Sequence, residues 1–399
     1  MQKQIPDNWQ KEELGKLLQP RGYIRGPFGS SLKRGELLSE GIPVYEQQNA
    51  INNHRNFRFY INEQKFSELR RFSVLPDDLV ISCSGSLGKV TIIQTGDPLG
   101  IISQALLILR PDTNKLLPRF LYYFLTSKEG FKAMTSRSTG SAMTNIASRD
   151  IIESIELLKP PLSYQKTVIE ILTSLDNKIE VNNKIAKTLE EMAQAIFKEW
   201  FVTGKKWEMG KLQDLVVVKN GFAFKSKDYR DSGIPIIRTM NFTNNKSVIL
   251  DDIVYLSEEK AKEYNSFYLD KFDLLLVMVG ASIGKIAIVP SNILPALQNQ
   301  NMWAFKPKKE EHRFFSNLLV ERLIDQQKGS STGSARDFFR KDYFYSLEIP
   351  VPNMEIISEF NKIISPIYVK LDNILGENQK LAALRDLLLP KLMKGEIRV

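Results

Sequence analysis

The stretch that decides the fold is VIEILTSLDNKIEVNNKIAKTLEEMAQAIFKEW, residues 168–200. Its apolar residues recur at alternating spacings of four and three, which is the heptad pattern of a helix that packs along another helix. This seam runs from Val168 to Trp200 and includes one polar residue, Asn182. At about 1.5 Å per residue, a helix of this length forms a rod of roughly 50 Å.

The partner helix is predicted in the same chain, because the heptad pattern recurs over residues 364–392. Asn378 falls on this second seam as Asn182 falls on the first. A polar Asn at a seam position lowers stability but fixes register and orientation. The seam residues are Leu172, Leu175, Ile179, Asn182, Leu189 and Ile196 in the first helix, and Leu371, Ile374, Asn378, Leu381 and Leu388 in the second.

Composition and charge narrow the class of protein. Hydrophobic residues make up 43% and charged residues 25% of the 399 residues, as in ordinary globular proteins, and no apolar run reaches the ~18 residues of a membrane span. The single cysteine, Cys83, excludes a disulfide framework and indicates a reducing, cytoplasmic compartment. A net charge of +9 favours a polyanionic partner such as nucleic acid.

The two halves of the chain repeat one plan, which indicates an internal duplication. Gly15-Lys16-Leu17 recurs as Gly210-Lys211-Leu212, and the Gly-Ile-Pro that opens a strand at Gly41 recurs at Gly233. A Ser-Thr-Gly-Ser-Ala segment occurs at residues 138–142 and again at 331–335. Each half is therefore predicted to form a globular unit followed by a long helix.

The predicted fold class is α/β (α+β), with two similar globular domains separated by two long antiparallel coiled-coil helices about a pseudo-two-fold axis. The predicted boundaries are residues 1–150 and 207–345 for the globular domains, and 151–206 and 346–399 for the helical spacers. The alternative is a pair of tandem domains with unrelated capping helices. The matched heptads and the aligned Asn residues argue against that alternative.

The motifs of catalysis are missing from the sequence. The glycine loop at residues 280–285 has three residues between its glycines, whereas a P-loop has four followed by Lys and Ser or Thr. A tight turn between strands is the preferred interpretation of this loop and of its counterpart at residues 84–89. One Cys and two His cannot provide the usual zinc site. We predict no catalytic centre and no metal site.

Polar clusters at matched strand ends and glycine loops are the candidate nucleic-acid contacts. Hydroxyls, lysines and backbone amides commonly bind phosphate, while Arg, Asn and Gln can read base edges. The alternative for each cluster is a solvated loop tip made of turn-forming residues. The candidates are Lys33, Gln47, Gln48, Asn49, Ser84, Lys89, Arg137, Thr139 and Ser141 in the first half, and Lys225, Arg238, Asn241, Asn244, Lys285, Thr332, Ser334 and Arg336 in the second.

With the repeat established, the whole chain resembles the specificity (S) subunit of type I restriction-modification systems. The resemblance rests on the passage from Ser138 to Gln165, its second copy from Ser331 to Pro352, and the segment LLLPKLMKGEI at residues 387–397. One departure is the absence of a second Gln at the position that matches Gln165. Glu355 or Ile356 stands there, which puts the local start of the second helix in doubt.

The resemblance implies that the globular domains are target-recognition domains, each reading one half of an asymmetric bipartite DNA sequence. The antiparallel helices would set the gap between half-sites and dock two methyltransferase (M) subunits. S-adenosylmethionine would belong to the M subunits, and ATP and Mg to nuclease-translocase (R) subunits, in a complex for adenine-N6 DNA methylation and phage defence. The chain itself would hold no cofactor. The alternatives are a self-contained DNA-modifying enzyme and a coiled-coil scaffold without DNA binding.

Overall fold

The computed structural model describes residues 9–135, 146–203, 207–243, 245–250, 252–280, 282–330 and 340–399. The chain divides into two compact units. Unit one contains the residues up to Asn177 together with Ala382–Val399, and unit two contains Lys178–Leu381. Both units mix helices and strands, which confirms the predicted fold class.

The described residues of unit one form nine strands and six helices, and a seventh helix begins among them. The strands are β1 Gln10–Glu13, β2 Leu18–Arg25, β3 Ile42–Tyr45, β4 Tyr60–Ile61, β5 Leu79–Ser82, β6 Val90–Ile92, β7 Ile101–Ile102, β8 Leu106–Pro111 and β9 Glu156–Lys159. The helices are α1 Leu14–Leu17, α2 Gln47–Ile51, α3 Glu63–Glu68, α4 Pro118–Thr126, α5 Lys128–Thr135, α6 Arg149–Glu153 and the long α7 Leu162–Phe201.

The strands of unit one form three sheets: a four-stranded sheet in the order β2-β8-β5-β6, a three-stranded sheet in the order β4-β3-β7, and the pair β1-β9. The four-stranded sheet is antiparallel throughout, whereas β3 and β7 pair in parallel. Strand β5 begins with three consecutive apolar residues because both faces of its sheet are covered. Leu79 and Ile81 enter one hydrophobic cluster of the unit, and Val80 enters another.

Unit two contains the remaining strands and helices. The strands are β10 Met209–Lys211, β11 Val216–Asn220, β12 Ile234–Ile237, β13 Val254–Leu256, β14 Leu274–Val277, β15 Ile286–Ile288, β16 Leu297–Gln298, β17 Met302–Pro307 and β18 Glu348–Pro350. The helices are α8 Leu212–Leu215, α9 Glu258–Ala261, α10 Arg313–Ser330, α11 Lys341–Ser346 and the long α12 Met354–Met393.

The sheets of unit two follow the same plan as those of unit one, strand for strand. Their orders are β11-β17-β14-β15, β13-β12-β16 and β10-β18, and β12 and β16 again pair in parallel. Strand β14 also divides its apolar residues between two clusters, with Leu274 and Leu276 in one and Leu275 and Val277 in the other. The internal duplication predicted from the sequence is therefore confirmed.

The two long helices run antiparallel within each unit. In unit one, the Tyr164 hydroxyl of α7 donates to the carbonyl of Leu392 in α12 at 3.2 Å. Further along the same helices, Nη1 of Arg385 donates to Asp176 at 3.0 Å. In unit two, the rings of Phe201 and Phe360 lie 4.9 Å apart, and Nδ2 of Asn182 donates to Oδ1 of Asn378 at 2.9 Å.

The predicted seam residues lie on the inner side of each helix. The structure buries Leu172, Asn182 and Ile374 and leaves the other predicted members half-buried. Apolar residues at intervening helix positions, such as Val181 and Leu387, are instead largely exposed. Phe197 and Leu389, each one position after a predicted seam residue, are also buried, so the buried face is wider than the predicted seam.

The second long helix begins differently from the first, at the place where the sequence lacks a matching Gln. In unit one, the buried Gln165 side chain accepts from the Leu117 backbone N–H and donates to the carbonyls of Lys115 and Pro160. In unit two, Oδ1 of Asn353 accepts from the Ile356 N–H at 3.0 Å, which caps the first turn of α12. Gln165 therefore joins α7 to the segment before α4, whereas Asn353 bonds to the first turn of its own helix.

The paired seam asparagines lead to a prediction for stability. We expect Asn182→Leu or Asn378→Leu alone to lower the free energy of unfolding by about 1–2 kcal/mol. Each removes the bond between the two asparagines and one further bond, from Asn182 to Glu377 or from Asn378 to Asn183. The double variant should be more stable than either single variant, because it removes both polar groups together. Urea unfolding of the four proteins gives the coupling energy. Strictly additive losses would contradict a paired contribution of the two residues.

Candidate nucleic-acid interface

In unit one, the predicted site residues Gln47 and Ser84 are brought together. Strand β3 ends at Tyr45, and Gln47 opens the short helix α2 that follows it. Nε2 of Gln47 donates to the Ser84 carbonyl at 2.6 Å and to Oγ of Ser84 at 2.7 Å. The end of β3 is therefore joined to the glycine loop between β5 and β6.

The glycine loop of unit one is a tight turn between paired strands, as the sequence predicts. Strands β5 and β6 pair antiparallel across it, and the Gly88 N–H donates to the Ser82 carbonyl at 2.9 Å. Gly88 has a φ of +69°, and a Cβ added there would lie 2.9 Å from the ring of Phe131. Both observations require glycine at this position. Lys89 follows the turn and is exposed.

The other candidates of unit one have different surroundings. Lys33 is exposed, and Nε2 of the half-buried Gln48 donates to the Glu46 carboxylate at 3.3 Å. Asn49 is buried, with 1% of its surface exposed. Its side chain bonds to the backbone of its own loop and does not face solvent. We therefore give Asn49 a supporting role in its loop.

Unit two joins its strand end to its glycine loop through a different contact. Nζ of Lys285, directly after the glycine loop, donates to the Phe242 carbonyl at 2.6 Å. Nη2 of Arg238 donates to the Asp252 carbonyl, and Lys225 is exposed. Asn241 is fully buried, so it receives the same supporting role as Asn49. The remaining predicted residues lie outside the described residues: Arg137, Thr139, Ser141, Asn244, Thr332, Ser334 and Arg336.

Sequence analysis missed the polar contacts that tie each globular part to its long helices. In unit one, the Tyr123 hydroxyl donates to Asp176 of α7 at 2.8 Å. In unit two, Asp372 of α12 accepts from the backbone N–H and the hydroxyl of Ser291, both at 2.7 Å. Asp176 and Asp372 stand at the same offset as Asn182 and Asn378, so a comparison of the two heptad patterns could have found them.

The contact between Asp372 and the Ser291 turn, which we call an anchor, also includes an ion pair. Nζ of Lys271 lies 2.8 Å from the Asp372 carboxylate. Burial alone would raise the pKa of Asp372, but the hydrogen bonds from Lys271 and Ser291 outweigh burial and lower it. The carboxylate is therefore charged at neutral pH and holds the Ser291 turn against α12.

A second anchor of unit two joins Lys246, which lies in the segment after Asn241, to two carboxylates. Lys246 forms an ion pair with Glu321 of α10, and its Nζ lies 3.9 Å from Glu190 of α7. These side chains line a small cavity of about 60 Å³ beside Tyr368, which is room for about two water molecules. Burial and the nearby Glu321 raise the pKa of Glu190 to about 7, against the opposing effect of Lys246.

The raised pKa of Glu190 predicts a pH-dependent stability. An acid whose pKa is raised by folding stabilises the protein most below its ordinary pKa, 4.5 for Glu190, and this contribution is lost as the pH rises through about 7. We therefore expect Glu190→Gln to raise the Tm relative to the natural protein by about 2–4 °C at pH 8, and by less at pH 5. Thermal unfolding of both proteins from pH 5 to pH 8 measures the difference. A difference in Tm that does not change with pH would contradict the assignment.

Within the described ranges, no group of three or more His, Cys, Asp or Glu side chains is placed to hold a metal ion. Cys83 is buried, and burial raises the pKa of its thiol to about 12, so it is a poor nucleophile. Among the helices of the same ranges, none combines the length and apolarity needed to cross a membrane.

The sheets, loops and helices described above define an internally duplicated α+β protein with two equivalent loop clusters. A family model for the type I restriction modification DNA specificity domain matches residues 6–191 and again residues 204–385. Since these two matches cover most of the chain, the chain belongs to that family. The two copies of the matched domain agree with the duplication seen in the structure.

Individual relatives agree with this assignment. The chain is 22% identical to the type I restriction enzyme MjaVIII specificity subunit of Methanocaldococcus jannaschii, over 99% of this chain and 94% of the relative. It is 24% identical to the HindI specificity subunit of Haemophilus influenzae, over 74% and 81% of the two chains. The crystal structure of the type I restriction-modification S subunit from M. genitalium shares the fold, with a TM-score of 0.55 and 17% identity over 98% of each chain.

Proposed function

We propose that this chain gives a type I restriction-modification complex its DNA sequence specificity. Each globular part reads one half of a bipartite duplex target, and the paired helices set the gap between the halves. The observation that carries the proposal is the repeated pairing of a strand-end loop with a glycine loop on two sheets of identical order. Two copies of one reading surface suit a target in two parts.

The two halves of the target are expected to differ. The structural plan is the same in both units, but the loop chemistry is not. Unit one joins its loops through Gln47 and Ser84, whereas unit two uses Lys285. Gln48 in the loop of unit one corresponds to Met240 in unit two, whose side chain is 58% exposed. Since direct readout depends on such side chains, an asymmetric target follows.

The chain contributes binding and leaves catalysis to its partners. We assign S-adenosylmethionine and adenine-N6 methylation to two methyltransferase (M) subunits, and ATP and Mg to nuclease-translocase (R) subunits. Docking of the M subunits on the long helices would cover apolar side chains such as Val181, Ile185 and Met192, which are exposed on α7. We place the complex in the cytoplasm, where its DNA substrate lies.

Co-expression with the neighbouring methyltransferase gene tests this function. The expected result is a stable complex and, by single-molecule sequencing of host DNA, methylated adenine in a bipartite motif with a fixed gap. A matched culture that expresses the methyltransferase alone should lack the motif. A complex that binds no duplex DNA in a salt-sensitive way would favour a scaffold. Methyl transfer by the isolated chain would favour an enzyme.

A further inference from the structure

Asn49 and Asn241 occupy the same structural position in the two units. Each lies four residues after the last residue of its strand, β3 or β12, in the short helical turn that follows the strand. Each is buried, with 1% of Asn49 and none of Asn241 exposed. A buried amide side chain needs hydrogen-bond partners, and both asparagines find them in the backbone of the loop.

In unit one, Asn49 connects the two ends of its loop. Oδ1 of Asn49 accepts from the Glu46 N–H at 2.7 Å. Its Nδ2 donates to the Asn56 carbonyl at 2.9 Å and to the His54 carbonyl at 3.3 Å. The side chain therefore fixes the segment between residues 46 and 56, on which Asn52, Asn53 and Asn56 are exposed.

In unit two, Asn241 makes the same first contact. Its Oδ1 accepts from the Arg238 N–H at 2.9 Å, and its own N–H donates to the Arg238 carbonyl at 2.9 Å. Its carbonyl accepts from the Ile249 N–H, also at 2.9 Å. The loop that returns from Asn241 to Ile249 is therefore closed at this residue. Met240 and Asn245 are exposed on the same loop.

The full set of hydrogen bonds made by Asn49 cannot be supplied by Asp or Ala without a change of loop shape. The side chain must accept from one backbone N–H, and in unit one it must also donate to two carbonyls. Asp retains the acceptor but loses both donors, and it places a charge opposite the carbonyl oxygens. Ala loses all of these bonds and leaves buried backbone groups unpaired.

We propose that Asn49 and Asn241 are positioning residues for DNA reading, each for one half-site. They hold the strand-end loops so that exposed neighbours meet the base edges in a fixed geometry, and they touch no base themselves. The proposal rests on the function proposed above. It adds that base discrimination in each half-site depends on one buried asparagine of one unit.

The test uses the complex with M subunits and a set of duplexes that carry single base changes in either half-site. Competition binding gives the discrimination against each change. We expect Asn49→Asp and Asn49→Ala to reduce discrimination about tenfold in one half-site and to leave the other unchanged. Asn241→Ala, which removes the acceptor of the Arg238 N–H, should affect the opposite half-site. Asn114→Ala, an exposed asparagine in the turn after β8, is the matched control and should change neither.

The outcomes separate a positioning role from a structural one. Uniformly weaker binding with discrimination intact in both half-sites would overturn the proposal, as would loss of discrimination in both half-sites from one variant. The unaffected half-site serves as the folding control within each variant, and the two Asn49 variants and Asn241→Ala together test both half-sites. If the natural complex shows no bipartite preference, the proposed function fails instead, so the two failures are distinguishable.

Discussion

Lengthening both long helices by one heptad is expected to widen the gap of the DNA target by about three base pairs. Seven residues add about 10.5 Å of helix, and successive base pairs rise by roughly 3.4 Å. The insertions belong between Asn177 and Lys178 and between Leu381 and Ala382, where the chain passes from one unit to the other. Asn182 then keeps its hydrogen bonds to Glu377 and Asn378, because these residues stay on the same side of both insertions.

Methylome sequencing of cells that carry the altered chain and its M partner measures the gap. Both half-site sequences should stay as they were, because the insertions leave the loops untouched. An insertion in α7 alone is the control. It shifts α7 against α12 and should lower stability and abolish methylation. A complex with two matched insertions and an unaltered gap would show that the helices do not act as a spacer.

Replacing residues 207–345 by the equivalent segment of another family member is expected to change one half-site completely and leave the other intact. The physical reason is that the sheets and loops of this segment belong to unit two, whereas those of unit one are formed by other residues. Methylome sequencing again gives the readout. Changes in both half-sites would mean that the two loop clusters do not read DNA independently.

The anchors between unit two and the long helices allow a second, more specific version of this experiment. Lys246, Lys271 and Ser291 lie in the replaced segment, and their partners Glu190 and Asp372 do not. A chimera that retains these three residues should assemble and methylate better than one that loses them. The half-site sequence should be the same in both chimeras, because the anchors hold the unit to its helices and do not read bases.

The long-range plan of the molecule could be predicted from the sequence because it repeats. The heptad seam, its Asn residue and the order of motifs each occur twice in the sequence. The structure confirms the duplication and the antiparallel helices. Periodic burial along a helix or strand leaves a direct trace in the sequence. Burial on both faces leaves a different trace, a continuous apolar run, as at residues 79–81 of β5 and throughout β14.

The roles of single polar residues could not be predicted in the same way. Asn49 and Gln48 are adjacent amides in the sequence, yet one is buried and the other half-exposed. The difference depends on how a short turn packs under its own loop, which no periodicity records. The anchors of Lys246 and Asp372 also join residues far apart in the chain. Which loop residues contact DNA stays a prediction, as do the domain boundaries.

The division of the chain also determines which unit has its sequence completed first during translation. Unit two is one continuous stretch, Lys178–Leu381, whereas unit one needs residues 382–399 as well. Leu389, Leu392 and Met393 lie in the core of unit one, beside Val168 and Leu172. The residues synthesised after unit two therefore belong to the core of the unit whose synthesis began first. The half of the chain that is translated first is the half whose sequence is completed last.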